Sequence, residues 1–193
     1  MYIGNIFEHP VNIDLEQKLT IIIGENGSGK TKLLDLMNEY FLNNNKNALY
    51  LKEDLFILPN EVEEIKAMFA LTKLTNQSFK KYCIDDDAIV RTYKYLSSGY
   101  INDGYSKILY YLYMFEKYSN NNDLILLIDQ PENYISIIIQ KHMISWFQSY
   151  INIKSIFIVT HSPSLIHDNF DCVHNVTDFV NIYRQKESDK YEN

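Results

Sequence analysis

The chain sets short, uninterrupted apolar runs between segments of helical periodicity. Leu19 to Ile23, Ala48 to Leu51, Leu124 to Ile128 and Ile156 to Thr160 contain no charged residue. Runs of that length without polar alternation are what a strand buried on both faces of a parallel sheet requires. Between them, Lys30 to Phe41 places Leu33, Leu34, Met37, Tyr40 and Phe41 on one side of a helix. Ser106 to Tyr118 and Tyr134 to Tyr150 repeat the pattern, the second carrying the sole tryptophan, Trp146. Glu61 to Leu74 predicts a further helix: Pro59-Asn60 precede it, and Glu63 stands where a capping box needs it. Its acidic residues come first and its lysines later, which suits the helix dipole. Strands alternating with helices predict an α/β fold, a parallel-core sheet flanked by helices.

The polar patches around Asn43 to Asn47 and Asn120 to Asp123 read as solvated loops. Residues 184 to 193 read as a frayed polar tail. No internal repeat and no sustained heptad pattern is present, so no coiled-coil arm is predicted. At 193 residues the chain suits one domain. A hydrophobic share of 46% against 22% charged residues excludes a disordered chain. The net charge of −7 argues against a broad nucleic-acid footprint but leaves room for a local basic patch. The two cysteines, Cys83 and Cys172, suit neither a disulfide framework nor a zinc site. The N-terminus lacks a basic start and a long apolar run, and no stretch reaches membrane-span length. A cytoplasmic location is the expectation.

Three of the six glycines, Gly24, Gly27 and Gly29, crowd one short window. Gly24-Glu25-Asn26-Gly27-Ser28-Gly29-Lys30-Thr31 fits the P-loop pattern G-x-x-x-x-G-K-[ST], with an apolar strand before it and a periodic helix after. Phosphate oxygens are cradled by successive backbone N–H groups, including those of Asn26 and Ser28, and larger side chains would obstruct that approach. The helix beyond offers unpaired N–H groups and a positive dipole end to the same anion. Lys30 is placed to meet the β- and γ-phosphates of ATP, and the Thr31 hydroxyl to ligate Mg²⁺. A second feature agrees. Leu124 to Asp129 is an apolar strand ending in an acid, the Walker B arrangement, which would put Asp129 on Mg²⁺ directly or through water.

Two further stretches select a branch of the P-loop proteins: "YLSSGY" at residues 95 to 100, before a helix, and "IFIVTHSPSLI" at residues 156 to 166. P-loop, LSSG, IDQPEN and THSP in that order resemble the ABC-type ATPase superfamily. Within it the chain resembles the soluble AAA-domain group related to RecF, SMC and OLD-family ATPases. The resemblance spans nearly the whole chain and implies one ABC-type ATPase domain over residues 1–193, with a small helical insert at about 52–95. It implies that Ser97 and Gly99 reach across an ATP-dependent homodimer to the γ-phosphate held by the other copy. It implies that His161 meets the γ-phosphate or the attacking water. The charge logic is consistent, because a lone P-loop leaves one side of the γ-phosphate facing water, and a second copy would cover it.

Several positions depart from the family pattern. Asp129-Gln130-Pro131 stands where Asp-Glu-Pro is usual, so the residue that polarises water is an amide. Gln130 can orient water by hydrogen bonds but takes no proton as a base, and Glu132 offers a carboxylate two positions on. Slow hydrolysis is the expectation, since losing general-base help typically costs about a hundredfold or more. Ser98 and Tyr100 replace the glycine and glutamine of transporter signatures. Asn133 to Ile137 lacks the usual aspartate. Gln77 is the only glutamine between the P-loop and the signature, and Tyr2 and Phe7 are equally explained as adenine-stacking rings or core.

The reading is an ATP-binding, slowly hydrolysing subunit that regulates an effector protein, of the defence or DNA-repair type, with the insert as docking surface and nucleic acid left open. Two rivals stand: the nucleotide-binding subunit of a small transporter, and a hydrolysis-deficient clamp whose ATP-bound state is the signal.

Overall fold

The structure is a computed structural model, and it describes residues 2–6, 9–14, 16–53, 61, 63–64, 104–150 and 152–176. The chain begins with two strands, β1 (Tyr2–Ile6) and β2 (His9–Asn12), paired antiparallel. Then come β3 (Leu19–Ile23), α1 (Lys30–Asn43), β4 (Ala48–Leu51), α2 (Gly104–Lys117), β5 (Leu124–Asp129), α3 (Ile137–Gln148) and β6 (Ile153–Val159). A short α4 (Pro163–Ile166), a 3-10 turn at Phe170–Cys172 and β7 (Val173–Asn175) complete the described elements.

Strands β3 to β7 form one sheet in the order β4-β5-β6-β3-β7, every neighbouring pair parallel. This is the predicted α/β architecture. Its physical basis is the period of two along each strand. Leu124, Leu126 and Ile128 face one core with Ile156 and Ile158, beneath α2 and α3. Ile125 and Leu127 face the other with Phe157 and Val159, against α1 and the first two strands. Both faces are covered at the centre of the sheet, so β5 is apolar from Leu124 to Ile128 with no alternation.

Aromatic packing dominates the first core. The Phe115 ring lies 5.6 Å from both Trp146 and Phe147 and 4.8 Å from Tyr150, so α2 and α3 interlock through rings. In the second core Leu33, Leu34, Met37 and Phe41 of α1 are fully buried, and Ile3, Ile6, Val11 and Ile13 close it from below.

Boundaries differ from the sequence reading where backbone hydrogen bonds compete with pattern. Strand β6 starts at Ile153 and ends at Val159, one residue before the predicted Thr160. Helix α3 begins at Ile137, not Tyr134. Tyr134 sits at φ 68°, a left-handed conformation that no helix accommodates, and the Ile135 N–H closes a turn on the Glu132 carbonyl. Helix α2 begins at Gly104, where an added Cβ would collide with the Tyr134 carbonyl, so the helix start and the turn after β5 are in backbone contact. Tyr2 is exposed and donates its hydroxyl to Asn5 Oδ1, which removes core packing as its explanation. Of the helix predicted at Glu61 to Leu74, Glu61, Glu63 and Glu64 are described and helical. The rest of it, the insert beyond Glu64, the LSSG turn with Ser97 and Gly99, Phe7, Gln77, Cys83 and the polar tail lie outside the described residues.

Candidate functional site

In a parallel sheet the carboxyl ends of the strands share one edge, and the loops leaving that edge build the site. Here β3 leads into the glycine-rich loop, β5 ends on Asp129, and β6 leads to Thr160 and His161. Asn26, Gly27, Gly29, Lys30, Thr31, Lys32, Gln130 and His161 line a cavity of about 250 Å³ at this edge.

The loop geometry follows from its glycines. Gly27 and Gly29 adopt φ 77° and 96°, values that residues with a Cβ reach only under strain. Gly29 is the N-cap of α1, and no side chain caps it. The first-turn N–H groups of a 14-residue helix are therefore left facing the cavity without an internal acceptor. No acidic residue stands in that turn to compete for an anion. Ser28 anchors the loop by donating its N–H to the Glu25 carbonyl.

Lys30 is 6% exposed, and its ammonium donates to the Gly24 carbonyl at 3.0 Å and the Glu25 carbonyl at 2.8 Å. Burial lowers its pKa from the ordinary lysine value, and the Asp129 charge opposes that shift. Thr31 donates its hydroxyl to Asp129 Oδ2 at 2.8 Å, a contact between residues 98 positions apart. Asp129 itself is 2% exposed, and its Oδ1 is buried with no hydrogen-bond partner among the described residues. Burial raises its pKa above the ordinary carboxylate value. The Thr31 hydrogen bond works against that, while the charges of Glu53, Asp35 and Glu132 add to it.

A buried carboxylate with one orphaned oxygen, beside a threonine hydroxyl and three further acids, is an electrostatically unsatisfied arrangement. A divalent cation would satisfy it. Mg²⁺ needs only one or two protein oxygens when phosphates and waters complete its shell, and Thr31 with Asp129 fits that demand.

Gln130 follows at φ 45°, a strained value for a residue with a side chain. Its main chain is pinned on both sides: the N–H donates to the Val159 carbonyl at 2.9 Å, and the carbonyl accepts from Lys107 Nζ at 2.9 Å. Lys107 comes from the first turn of α2 and is 1% exposed. The Gln130 side chain donates to Glu53 Oε2 at 2.7 Å, and Asn133 Nδ2 donates to Glu53 Oε1 at 2.7 Å. Glu132 is buried; its Oε1 accepts from the His161 N–H at 2.7 Å, which holds the turn carrying His161. The His161 side chain is exposed at the cavity wall.

The structure thus brings Asn26, Gly27, Gly29, Lys30, Thr31, Gln130 and His161 to the wall of one cavity; Asp129 is buried against Thr31, and Glu132 holds the His161 turn, while Gly24 and Ser28 do not line the cavity. The sequence reading did not single out Lys32, Lys107, Asn133 or Glu53. Lys32 directly follows Lys30-Thr31 on α1, a signal that was available. Glu53 closely follows β4 at the carboxyl edge, where loops of a parallel sheet converge on a site. It lies within residues 52–95, read as an insert, and it contacts Gln130 and Asn133 after β5.

A family model described as "AAA domain" matches residues 3–191. No curated protein matches the sequence. Among solved structures, one titled as a nucleotide-free ATP-binding cassette from an ABC transporter matches at 16% identity. The match covers 86% of this chain and 78% of that one, with a TM-score of 0.43. No described helix is long and apolar enough to cross a membrane.

Proposed function

The chain belongs to the AAA domain family, within the ABC-type ATPase group, and from that premise we propose a slow, Mg²⁺-dependent ATPase that closes around ATP as a homodimer and regulates a partner effector. The observation that carries the reading is the Thr31–Asp129 contact beneath an uncapped helix N-terminus, which joins an anion cradle to a site short of positive charge.

In this reading the backbone of residues 24–31 and the Lys30 ammonium bind the triphosphate, exchanging the Gly24 and Glu25 carbonyls for phosphate oxygens. When bound, Mg²⁺ neutralises charge developing on the phosphates. Thr31 and Asp129 would hold it. Gln130 orients a water toward the γ-phosphorus by hydrogen bonds. The water oxygen bonds to phosphorus, the bond to the β-phosphate oxygen breaks, and ADP leaves with that electron pair. The water proton passes to the phosphate product, because an amide accepts none. His161 stands where it can meet the γ-phosphate, and Glu132 keeps its turn in place. Hydrolysis without a base is slow, on the order of a hundredfold below a glutamate-assisted rate.

Pairing is supported by the open cavity, which leaves a γ-phosphate covered on one side only, and by exposed apolar side chains in the segment after Asp129. Tyr134, Ile137 and Ile138 are each more than half exposed. Ser97 and Gly99 of a second copy would complete the cover. The effector, of the defence or DNA-repair type, with or without nucleic acid, is the remaining part of the proposal.

The amide at position 130 equally favours a second reading, a clamp that binds and pairs but turns over too slowly for hydrolysis to matter. One experiment separates the two: phosphate release and sedimentation of the full chain with ATP·Mg²⁺. Slow release with ATP-dependent pairing supports the ATPase. Pairing without release supports the clamp. A chain that neither binds nor pairs refutes both.

A further inference from the structure

We propose that Glu53 is a positioning residue for Gln130: it fixes the direction of the Gln130 side-chain amide and so the end that meets water. This deepens the hydrolysis reading above and rests on it.

A glutamine amide has two unlike ends. Its carbonyl oxygen accepts two hydrogen bonds, and its nitrogen donates two. Only the oxygen end can take a hydrogen bond from a water aimed at a phosphorus. The neighbours decide which end faces which way. An ionised carboxylate has acceptors and no donor, so it selects the NH₂ end of any amide against it. Glu53 does this twice, with Oε2 on Gln130 Nε2 and Oε1 on Asn133 Nδ2, both at 2.7 Å. Asn133 Nδ2 also reaches Gln130 Oε1, at the long distance of 3.4 Å, which leaves that oxygen weakly engaged.

The backbone supports the same arrangement. Gln130 is held at φ 45° by Val159 on one side and Lys107 on the other, so its side chain leaves from a fixed point. Glu53 comes from a different loop, just past β4, so the contact is a tertiary one between residues 77 positions apart. Gln130 lines the cavity and Glu53 does not, so Glu53 acts through Gln130.

A counter-intuitive consequence follows. Restoring a glutamate at position 130 would set two carboxylates against each other where an amide now meets a carboxylate. Q130E alone should lose function. Exchanging the pair, E53Q/Q130E, restores one amide and one carboxylate in contact.

The test uses four full-length proteins: wild type, E53Q, Q130E and E53Q/Q130E. Without nucleotide, melting at neutral pH should show Q130E less stable than wild type and the double variant recovering most of that loss. The Gln130 side-chain amide, followed by ¹⁵N NMR, should be slowed in hydrogen exchange in wild type and lose that protection in E53Q. With ATP·Mg²⁺, E53Q should lower kcat about tenfold or more with little change in KM, as misorientation of a reactant does. Q130E should also lower kcat, and the double variant, with a carboxylate base at position 130 facing an amide, should recover at least the wild-type kcat. The proposal is overturned if E53Q turns over like wild type, or if Q130E alone is faster and E53Q adds nothing to it. A wild type that releases no phosphate refutes the hydrolysis reading and the role given to Glu53 with it. The melting and NMR results then still report whether the Glu53–Gln130 contact exists.

Discussion

Replacing Asp129 by asparagine should make the nucleotide-free chain more stable and the loaded chain less so. Asp129 is 2% exposed, its Oδ1 lacks a partner among the described residues, and the charges of Glu53, Asp35 and Glu132 repel it. Its compensations are the attraction of the Lys30 ammonium and the Thr31 hydrogen bond at 2.8 Å, the latter worth roughly 1.5–3 kcal/mol to an ionised acceptor. Asparagine keeps a carbonyl to accept from Thr31, at about 1 kcal/mol, and loses only part of that term. What it removes is the larger quantity, a buried charge whose effective penalty is several kcal/mol. A net gain of about 1 kcal/mol corresponds to a melting temperature higher by ~2–4 °C in a domain of this size. The pH dependence has a definite sign. The folded-state pKa of Asp129 is raised, so its destabilising effect is absent in acid and sets in as pH rises past the ordinary carboxylate value. The advantage of D129N should therefore vanish in acid and be full at neutral pH. With ATP·Mg²⁺ at a hundred times its dissociation constant, wild type should gain about 2.7 kcal/mol and D129N much less, reversing the order. Melting curves with and without ATP·Mg²⁺ measure both halves. Wild type more stable than D129N in both conditions, with equal ligand shifts, would refute the electrostatic reasoning.

Phe115→Ala should cost about 3–5 kcal/mol in chemical denaturation, since it empties the ring cluster joining α2 to α3; a loss under 1 kcal/mol would deny that packing. Ser97→Arg should leave the single chain able to bind ATP but abolish ATP-dependent pairing in sedimentation, because Ser97 is assigned to the other copy's nucleotide; unchanged pairing would sink the composite site. Gly27→Val should weaken ATP binding, because φ 77° at that position is strained for a β-branched residue; binding equal to wild type would mean the loop is not the cradle.

The parts of the fold legible in sequence are those whose signal is local. Leu19–Ile23 and Ala48–Leu51 are strands over the predicted residues, because a parallel strand covered on both faces must be apolar throughout. The β1–β2 pair escaped notice because Gly4 and Pro10 interrupt its strands and neither is an apolar run. Strand β7, Val-His-Asn, has too little apolar content to stand out and exists because β3 offers it an edge. At the candidate site, the position of the glycine-rich loop between β3 and α1 and of Asp129 at the end of β5 was legible, because a strand–loop–helix and a strand-end acid each have a local pattern. Glu53 was not. Its contacts with Gln130 and Asn133 depend on β4 and β5 being neighbours, which no local pattern encodes. The late start of α3 was hidden for a related reason, since the left-handed Tyr134 serves a turn that tertiary contacts demand.

Calorimetric titration of the full chain with ATP·Mg²⁺, wild type beside Lys30→Ala, tests the nucleotide site most directly. The predicted result is saturable binding of one ATP per chain by wild type and none by K30A, with K30A still cooperatively folded. Equal binding by both proteins, or no binding by a folded wild type, would contradict it.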